Sequence, residues 1–338
     1  MNDTNNLTKN KKIINIVSLW NSISKSRSLQ LFFITIVGII IASFALGGRF
    51  ANENNFKAVL ISFVSTGFVS LGMMALLISG VFDLSVGSIY AMGMIVVAHF
   101  IKVFDFPWPL AILVSLAVCI ICGAINGFLV TKLKINALIA TLAMMGILRG
   151  LALIIGGVGV SGFPEAFKNL GQGDFLGLRL PIWFFFIIAF VLIILFRYLK
   201  FFRKFYFVGG NVEAARLCGI NANKVWFSGF VLMGFLAGLA GILHCARLGS
   251  STGQAGIGME LGIIAGVVIG GASIAGGKGT IFGGIVGAVF MAFMFNIMII
   301  SGVPAYWQRI VVGFVLILAV YSDVVVVEGY FKKIFKKK

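Results

Sequence analysis

Residues 209–220 read GGNVEAARLCGI, a short polar stretch that lies between two long apolar segments. Basic residues flank it on both sides: Arg197, Lys200, Arg203, Lys204 and Lys224. Positive charge concentrated in this way is typical of a cytoplasmic connection between membrane spans. The stretch predicts a helix of about three turns along the membrane surface, which fits a groove of a soluble partner. It fits equally well a solvated connector in which Gly219 only ends the helix.

The composition identifies an integral membrane protein. The 338 residues are 60% hydrophobic and 11% charged, with a mean hydropathy of +1.09. Apolar runs long enough to cross a bilayer recur along the chain. We therefore predict an all-α integral membrane protein with about ten transmembrane helices. Their predicted positions are residues 30–48, 56–80, 85–101, 109–131, 137–156, 181–197, 225–246, 260–275, 280–300 and 305–325.

The distribution of charge predicts the topology and the organisation of the chain. Most of the 27 lysines and arginines lie near the N-terminus, around the quoted stretch and in the C-terminal tail. The positive-inside rule then places both termini in the cytoplasm. We divide the chain into a cytoplasmic tail with an amphipathic interfacial helix (1–29), a polytopic transmembrane domain with a coupling loop at about 200–224 (30–326), and a basic cytoplasmic tail (327–338). Topology and anionic lipid explain the net charge of +17, so no nucleic-acid partner is predicted.

Two glycine-rich loops occupy matching positions between an inward span and the span that returns. Residues 80–88 read GVFDLSVGS, and residues 270–280 read GGASIAGGKGT. Broken helices at corresponding positions of two halves are typical of a translocation pathway, because unwound backbone at membrane depth occurs where it lines a cavity or is buried in protein. The alternative is a pair of tight cytoplasmic turns that use glycine for positive φ angles.

Small residues recur four positions apart within the predicted spans. This spacing puts them on one face of a helix and predicts close helix–helix contacts. The residues concerned are Gly123 and Gly127, Gly234 and Gly238, Gly266 and Gly270, and then Gly279, Gly283 and Gly287.

No pattern in the sequence indicates an enzyme. The run GGKGT resembles a phosphate-binding loop, but Ala272 stands where glycine is required and Gly279 replaces the Ser or Thr. His99 and His244 lie on different spans, so no metal site is predicted. We expect no catalytic residues, no metal and no cofactor on this chain.

Several motifs resemble those of ABC sugar importer permeases of the ribose/galactose/xylose type. This family also includes autoinducer-2 permeases and is related to branched-chain amino acid permeases. The motifs occur in order over residues 60–325. One departure lies in the first motif, where Val81-Phe82 is bulkier than the Gly-Ile or Gly-Thr that most members have before the Asp. The motifs are GVFDLSVGS, NGFL at 126–129, IATL at 139–142, GGNVEAARLCGI, MELGIIA at 259–265, GGASIAGGKGT and YWQ at 306–308.

The resemblance implies a non-catalytic permease subunit in the bacterial cytoplasmic membrane that imports a pentose or hexose. It implies a cytoplasmic ATPase partner that carries ATP and Mg, an extracytoplasmic sugar-binding protein, and a second permease copy, either identical or closely related. GGNVEAARLCGI is similar to the loop that forms the coupling helix of such importers. The implied ATPase-coupling residues are Glu213, Ala214, Ala215, Arg216, Gly219 and Ile220.

The physical chemistry of this stretch agrees with docking. Glu213 suits the positive end of the helix dipole, and we expect it to cap the helix. Ala214 and Ala215 allow a partner surface to approach closely, and Gly219 ends the helix.

A few polar residues in or beside the apolar spans are candidates for the transport pathway. Polar groups are costly in lipid, so we expect them to face the bundle interior or a cavity. The candidates are Asp83, Ser85, Asn126, Glu260, Asn296 and Gln308. Arg149 is a further polar residue within a predicted span, and the alternative for Arg149 and Glu260 is that they only pair with other groups or snorkel to the interface.

Other functions remain open from the sequence. Within the same class the cargo could be autoinducer-2 or a nucleoside. From different classes, an ion-coupled secondary transporter would favour a cluster of acids deep in the spans, whereas here Asp83 and Glu260 are nearly alone. A passive channel is the remaining alternative.

Overall fold

The computed structural model describes the backbone of residues 26–335 and the side chains of residues 26–323. The amphipathic helix predicted near the N-terminus lies before residue 26, outside the described residues. The side chains of the basic C-terminal tail lie outside them as well.

The described chain is almost entirely helical, as predicted. The α-helices are α1 (Arg27–Leu46), α2 (Glu53–Ile78), α3 (Val86–Lys102), α4 (Trp108–Thr131), α5 (Ala137–Gly156), α6 (Glu165–Gln172), α7 (Leu180–Tyr198), α8 (Lys200–Gly210), α9 (Val212–Leu217), α10 (Ala222–Leu248), α11 (Met259–Ile269), α12 (Ile281–Ile300) and α13 (Ala305–Phe335). A 3₁₀ turn covers Gly47–Arg49. A short antiparallel hairpin pairs β1 (Asp174–Phe175) with β2 (Leu178–Arg179). Helix α13 continues to Phe335, beyond the predicted end of the last span at residue 325.

Eight helices within the described residues are long and apolar enough to cross a membrane: α1, α2, α4, α5, α7, α10, α12 and α13. The two other predicted spans correspond to the shorter apolar helices α3, with 17 residues, and α11, with 11 residues. At 1.5 Å per residue, α11 is about 16 Å long, roughly half of the hydrocarbon core. The span predicted over 260–275 is therefore wrong in length, because the helix stops at Ile269. The backbone then turns at Gly270-Gly271, where Gly271 has a φ of +110°.

The helices form a buried centre and an apolar periphery. Helix α10 packs most extensively against α4, α3 and α2. Every residue of α3 from Val86 to Ala98 is buried. By contrast, α1 and α13 expose many large apolar side chains, such as Phe44 and Phe314. This is the arrangement expected when lipid, rather than water, surrounds the outer helices.

The predicted glycine contacts are confirmed. A Cβ placed on Gly123 would overlap the carbonyl oxygen of Phe230, and one placed on Gly234 would overlap the carbonyl oxygen of Cys119. Helices α4 and α10 therefore meet main chain to main chain. Helices α11 and α12 do the same, since a Cβ on Gly287 would overlap the backbone of Gly266.

We expect Gly234→Val to destabilise the fold, because the new side chain meets backbone atoms that cannot move aside as a side chain would. Overpacking of this kind costs about 1–3 kcal/mol. The matched control is Gly146→Val on α5, where a Cβ meets nothing within 4 Å. Thermal unfolding in the same detergent should show a lower Tm for Gly234→Val than for Gly146→Val. Equal values would contradict the packing argument.

Candidate functional site

The coupling loop folds as two helices rather than one. Helix α8 ends at Gly210, and α9 has only six residues. The prediction of one helix of about three turns over residues 209–220 is therefore wrong. The break falls at Asn211, whose backbone is extended, with φ −162° and ψ 109°.

Asn211, and not Glu213, caps α9. The Asn211 Oδ1 atom accepts a hydrogen bond from the backbone N–H of Ala214 at 3.0 Å. This corrects the expectation that Glu213 is the cap. Glu213 lies in the first turn, where its carboxylate suits the helix dipole, and Arg216 Nη1 donates to its Oε1 at 2.7 Å.

The end of α9 is closed by Gly219, as predicted. Gly219 has a φ of +76°, and its N–H donates to the Arg216 carbonyl at 2.9 Å. The N–H of Ile220 donates to the Ala215 carbonyl at 2.9 Å. Together these two bonds form a Schellman motif, which satisfies the last carbonyls of the helix.

The outer face of α9 is free to meet a partner. Ala215 is buried within this chain, so only Ala214 of the two alanines is available for close approach. Leu217 is 90% exposed although it is apolar. The exposed residues of this segment, called here the α9 face, are Glu213, Ala214, Arg216, Leu217 and Cys218.

Three glycine-containing segments meet where α8 ends. A Cβ on Gly209 would overlap the carbonyl oxygen of Ile78 and lie 2.5 Å from the N atom of Gly277. A Cβ on Gly276 would lie 2.9 Å from the Cα of Gly80 and 3.0 Å from that of Gly209. The N–H of Gly277 also donates to the Ile78 carbonyl at 2.9 Å. This glycine junction joins the coupling loop to both of the loops that the sequence singled out.

Asp323 anchors one of these loops, and the sequence analysis missed it. Its Oδ2 accepts from the hydroxyl of Ser273 at 2.8 Å and from the N–H of Ile274 at 3.2 Å. Arg27 Nη1 pairs with Oδ1 at 3.3 Å. The available signal was an acid near the end of an otherwise apolar span, which is costly unless it has partners.

Asp83, Ser85 and Asn126 form one buried cluster. Asp83 Oδ1 accepts from the backbone N–H and from the hydroxyl of Ser85, both at 2.7 Å. Asn126 Nδ2 donates to Asp83 Oδ2 at 3.1 Å and to Ser85 Oγ at 2.8 Å. Burial raises the pKa of the Asp83 carboxyl, while the bonds from Ser85 and Asn126 lower it. All three side chains are fully buried, so they join the α2–α3 connection to α4 and line no open path in this subunit.

An unwound segment precedes α11 and is held by Arg149. The Ser251 N–H donates to the Val160 carbonyl at 2.8 Å, which ties the start of the segment to the loop after α5. Arg149 Nη1 then donates to the carbonyls of Gly253 at 2.6 Å and Ala255 at 2.7 Å. The guanidinium thus satisfies carbonyls that no helix satisfies.

A cavity of about 280 Å³ opens between α2, α11, α12 and α13. Among the described residues that line it, none is charged. The polar ones are Ser62, Thr66 and Ser70, which share one face of α2, and Asn296 of α12. The others are Gly258, Met259, Gly262, Ile263, Ala288, Met291, Ala292, Phe295, Ile299 and Val312.

Of the predicted pathway residues, only Asn296 lines this cavity. Its amide pairs reciprocally with that of Asn55: Asn55 Nδ2 donates to Asn296 Oδ1 at 3.1 Å, and Asn296 Nδ2 donates back at 2.8 Å. Glu260 is half-buried in the first turn of α11, and Gln308 is half-buried on α13; neither lines the cavity. Within residues 26–323, no group of three or more His, Cys, Asp or Glu side chains is placed to hold a metal ion.

The helical bundle, its unwound segments and its exposed α9 face define a multi-pass membrane transport subunit. A family model described as "Branched-chain amino acid transport system / permease component" matches residues 55–320, which is more than half of the chain. The chain belongs to this family and is a permease of the ABC importer type, the non-catalytic membrane component of such a system. The resemblance stated from the motifs is thereby confirmed.

Similar proteins have been named for their cargo. Ribose import permease protein RbsC of Escherichia coli (strain K12) is 36% identical over 309 residues, covering 90% of this chain and 94% of the relative. L-arabinose ABC transporter permease protein AraH of Azospirillum brasilense is 34% identical over 312 residues, which cover 90% of this chain and 89% of the relative. Autoinducer 2 import system permease protein LsrC of Salmonella typhimurium (strain LT2) is 32% identical over 291 residues, which cover 86% of this chain and 84% of the relative. No solved structure shows a significant match.

We expect Asp323→Asn to loosen the loop at 270–280. The two carboxylate oxygens of Asp323 now accept hydrogen bonds from Ser273, Ile274 and Arg27, whereas an amide has only one acceptor oxygen. A buried polar group left without a hydrogen-bond partner costs about 1–3 kcal/mol. Hydrogen–deuterium exchange should therefore become faster in peptides that cover residues 270–280. The control is Asp105→Asn, an exposed acid of the α3–α4 connection. Unchanged exchange in Asp323→Asn would show that Asp323 does not hold the loop.

Proposed function

We propose that this chain is the permease subunit of an ATP-driven importer for a small neutral sugar, a pentose or a hexose. An extracytoplasmic binding protein delivers the sugar, and ATP hydrolysis on a partner subunit, which holds ATP and Mg, drives transport. Two permease copies, identical or closely related, form one pathway in the bacterial cytoplasmic membrane, with the termini in the cytoplasm. The observation that carries this proposal is the similarity, along 90% of the chain, to a permease named for ribose import.

The lining of the cavity favours a sugar over an amino acid. An amino acid carries an ammonium and a carboxylate, and a charge taken out of water needs a paired charge. The described lining residues carry none. Hydroxyl and amide groups beside apolar side chains suit a neutral polyol instead.

The α9 face is the proposed docking surface for the ATPase. Leu217 is the exposed apolar residue that a partner pocket would bury, and the Glu213–Arg216 pair provides polar contacts at its edge. Gly219 and Ile220 act by ending the helix and fixing its direction. A movement of α9 would reach the two inner loops through α8 and the glycine junction.

Autoinducer 2 is a second candidate cargo. The similarity to a permease named for its import covers 86% of this chain, and it differs by only a few per cent identity from the similarity to the sugar permeases.

We expect Leu217→Asp to weaken docking of the ATPase without unfolding the permease. Loss of a central apolar contact at an interface costs about 2 kcal/mol, which corresponds to more than about tenfold in affinity. The same change at an exposed position alters folding stability by no more than about 0.5 kcal/mol. The measurement is the amount of ATPase recovered with the purified permease, together with the Tm of the permease alone.

Leu176→Asp is the matched control. Leu176 is 77% exposed and lies at the turn between β1 and β2. This turn belongs to the connection between the fifth and sixth predicted spans, which ten spans with cytoplasmic termini place on the outside. This variant should recover as much ATPase as the unsubstituted chain. Equal recovery with Leu217→Asp would contradict docking at α9.

The decisive test of function is reconstitution. The permease is purified gently from its native membrane with every protein that accompanies it, and uptake of D-ribose, L-arabinose and autoinducer 2 is measured in proteoliposomes. ATP-dependent uptake that persists with a protonophore supports the importer. Collapse of uptake with a protonophore while ATP is maintained would instead indicate an ion-coupled carrier.

A further inference from the structure

The cavity between α2, α11, α12 and α13 has the position and chemistry of a transit site. We propose that it holds the sugar during its passage, with Ser62, Thr66 and Asn296 as the hydrogen-bonding contacts. This inference rests on the proposed function and adds to it the residues that meet the cargo inside the membrane.

The depth of the cavity follows from where α11 begins. The unwound segment starts at Ser251, which is bonded to the loop after α5. It continues to Gly256, which packs against Gly87 so closely that a Cβ on Gly87 would overlap the Gly256 carbonyl. Gly87 lies at the start of α3, and Gly93, about 9 Å further along that helix, packs on Gly238 near the middle of α10. Helix α11 therefore starts inside the helical bundle, beside the first turn of α3.

The other walls come from the long helices α2 and α12, and Asn296 lies toward the end of α12 that meets the first turn of α2 at Asn55. Thr66 is at the centre of α2, which runs from residue 53 to residue 78. Met291 is at the centre of α12, which runs from residue 281 to residue 300. A discontinuous helix that begins beside a cavity with a few polar groups is an arrangement in which many secondary transporters hold their substrates.

The hydroxyl groups on α2 are oriented as acceptors. Ser62 Oγ donates to the Val59 carbonyl at 2.9 Å, and Thr66 Oγ1 donates to the Phe63 carbonyl at 3.0 Å. Their protons are thus used within the helix, and their lone pairs are available to hydroxyl donors of a sugar.

Asn296 supplies both a donor and an acceptor. Its pairing with Asn55 uses one amide proton and one lone pair of the carbonyl oxygen, and one of each remains. Sugar hydroxyls both donate and accept, so this combination fits them. The aromatic ring of Phe295 adds an apolar wall against which the C–H side of a sugar ring can pack.

The size of the cavity fits a small cargo that must leave again. At about 280 Å³ it lies just below the range typical of drug-sized ligands, from roughly 300 Å³ upward. Hydrogen bonds between neutral groups are weaker than those to charged groups. A site built from them binds a sugar briefly, as transit requires.

Cysteine labelling tests whether the cavity contains water. Thr66→Cys and the control Ile187→Cys, at an exposed position on α7, are placed in the full importer in proteoliposomes. A small water-soluble methanethiosulfonate reacts with a thiolate, which forms in water and not in lipid. Peptide mass spectrometry should show labelling of residue 66 at least about tenfold faster than of residue 187, while buried Cys119 stays unlabelled.

Transport variants test whether Thr66 meets the cargo. Thr66→Val removes the hydroxyl at nearly constant volume, and Thr66→Ser keeps it. We expect the uptake rate of D-ribose or L-arabinose to fall about fivefold in Thr66→Val and to be largely retained in Thr66→Ser. The amount of ATPase recovered with each variant should be unchanged, because Thr66 is remote from the α9 face.

The outcomes separate the two proposals. Equal labelling of residues 66 and 187, or unchanged uptake in Thr66→Val, would overturn the transit site while leaving the importer intact. Lack of uptake of both sugars by the unsubstituted complex would count against the proposed function. In that case, labelling of residue 66 still decides whether the cavity is an aqueous path.

Discussion

The fold depends on helices that approach one another without side chains between them. Gly123 and Gly234 bring α4 against α10, and Gly266 and Gly287 bring α11 against α12. In lipid the hydrophobic effect gives no reason for apolar helices to associate, so they depend on close van der Waals contact between backbones together with hydrogen bonds between helices such as that of Asn55 with Asn296. Such contact also fixes the registry of the helices, because each glycine faces one carbonyl or one Cα of its neighbour.

Unwound backbone leaves main-chain groups without helical partners, and the ionisable side chains of two buried acids and a half-buried arginine supply these partners. Asp83 accepts from the N–H of Ser85, Asp323 accepts from the N–H of Ile274, and Arg149 donates to two carbonyls of the segment before α11. Each therefore supplies a partner to a main-chain group that has left its helix. Asp83 and Arg149, which the sequence indicated, and Asp323, which it did not, thus stabilise the broken helices, and neutral residues line the cavity.

Sequence patterns predicted the helical class, nearly all the spans and the glycine contacts, because these depend on local composition and spacing. The coupling loop stays a prediction, and its predicted capping residue was wrong, since Asn211 and Glu213 are both plausible caps until the break between α8 and α9 is known. The contact between Asp83 and Asn126 could not be predicted, because it depends on how α3 packs against α4 and residue spacing along the chain does not determine this. The hydroxyl row on α2 was overlooked for a related reason: serine and threonine are common in apolar helices, and only the cavity distinguishes these three.

The coupling loop contains a main-chain contact and an exposed side-chain surface only a few residues apart. At Gly209 the contact with the inner loops is made by main-chain atoms, so on the proposed docking it would transmit a displacement without depending on the identity of side chains. A few residues later, the side chains of α9 are exposed. On the proposed docking, recognition of the ATPase and transmission of its movement would belong to adjacent parts of one short segment that use different chemistry. A hybrid permease that carries α9 of another permease should therefore bind the ATPase of that other permease. Its own main-chain contact at the glycine junction would remain.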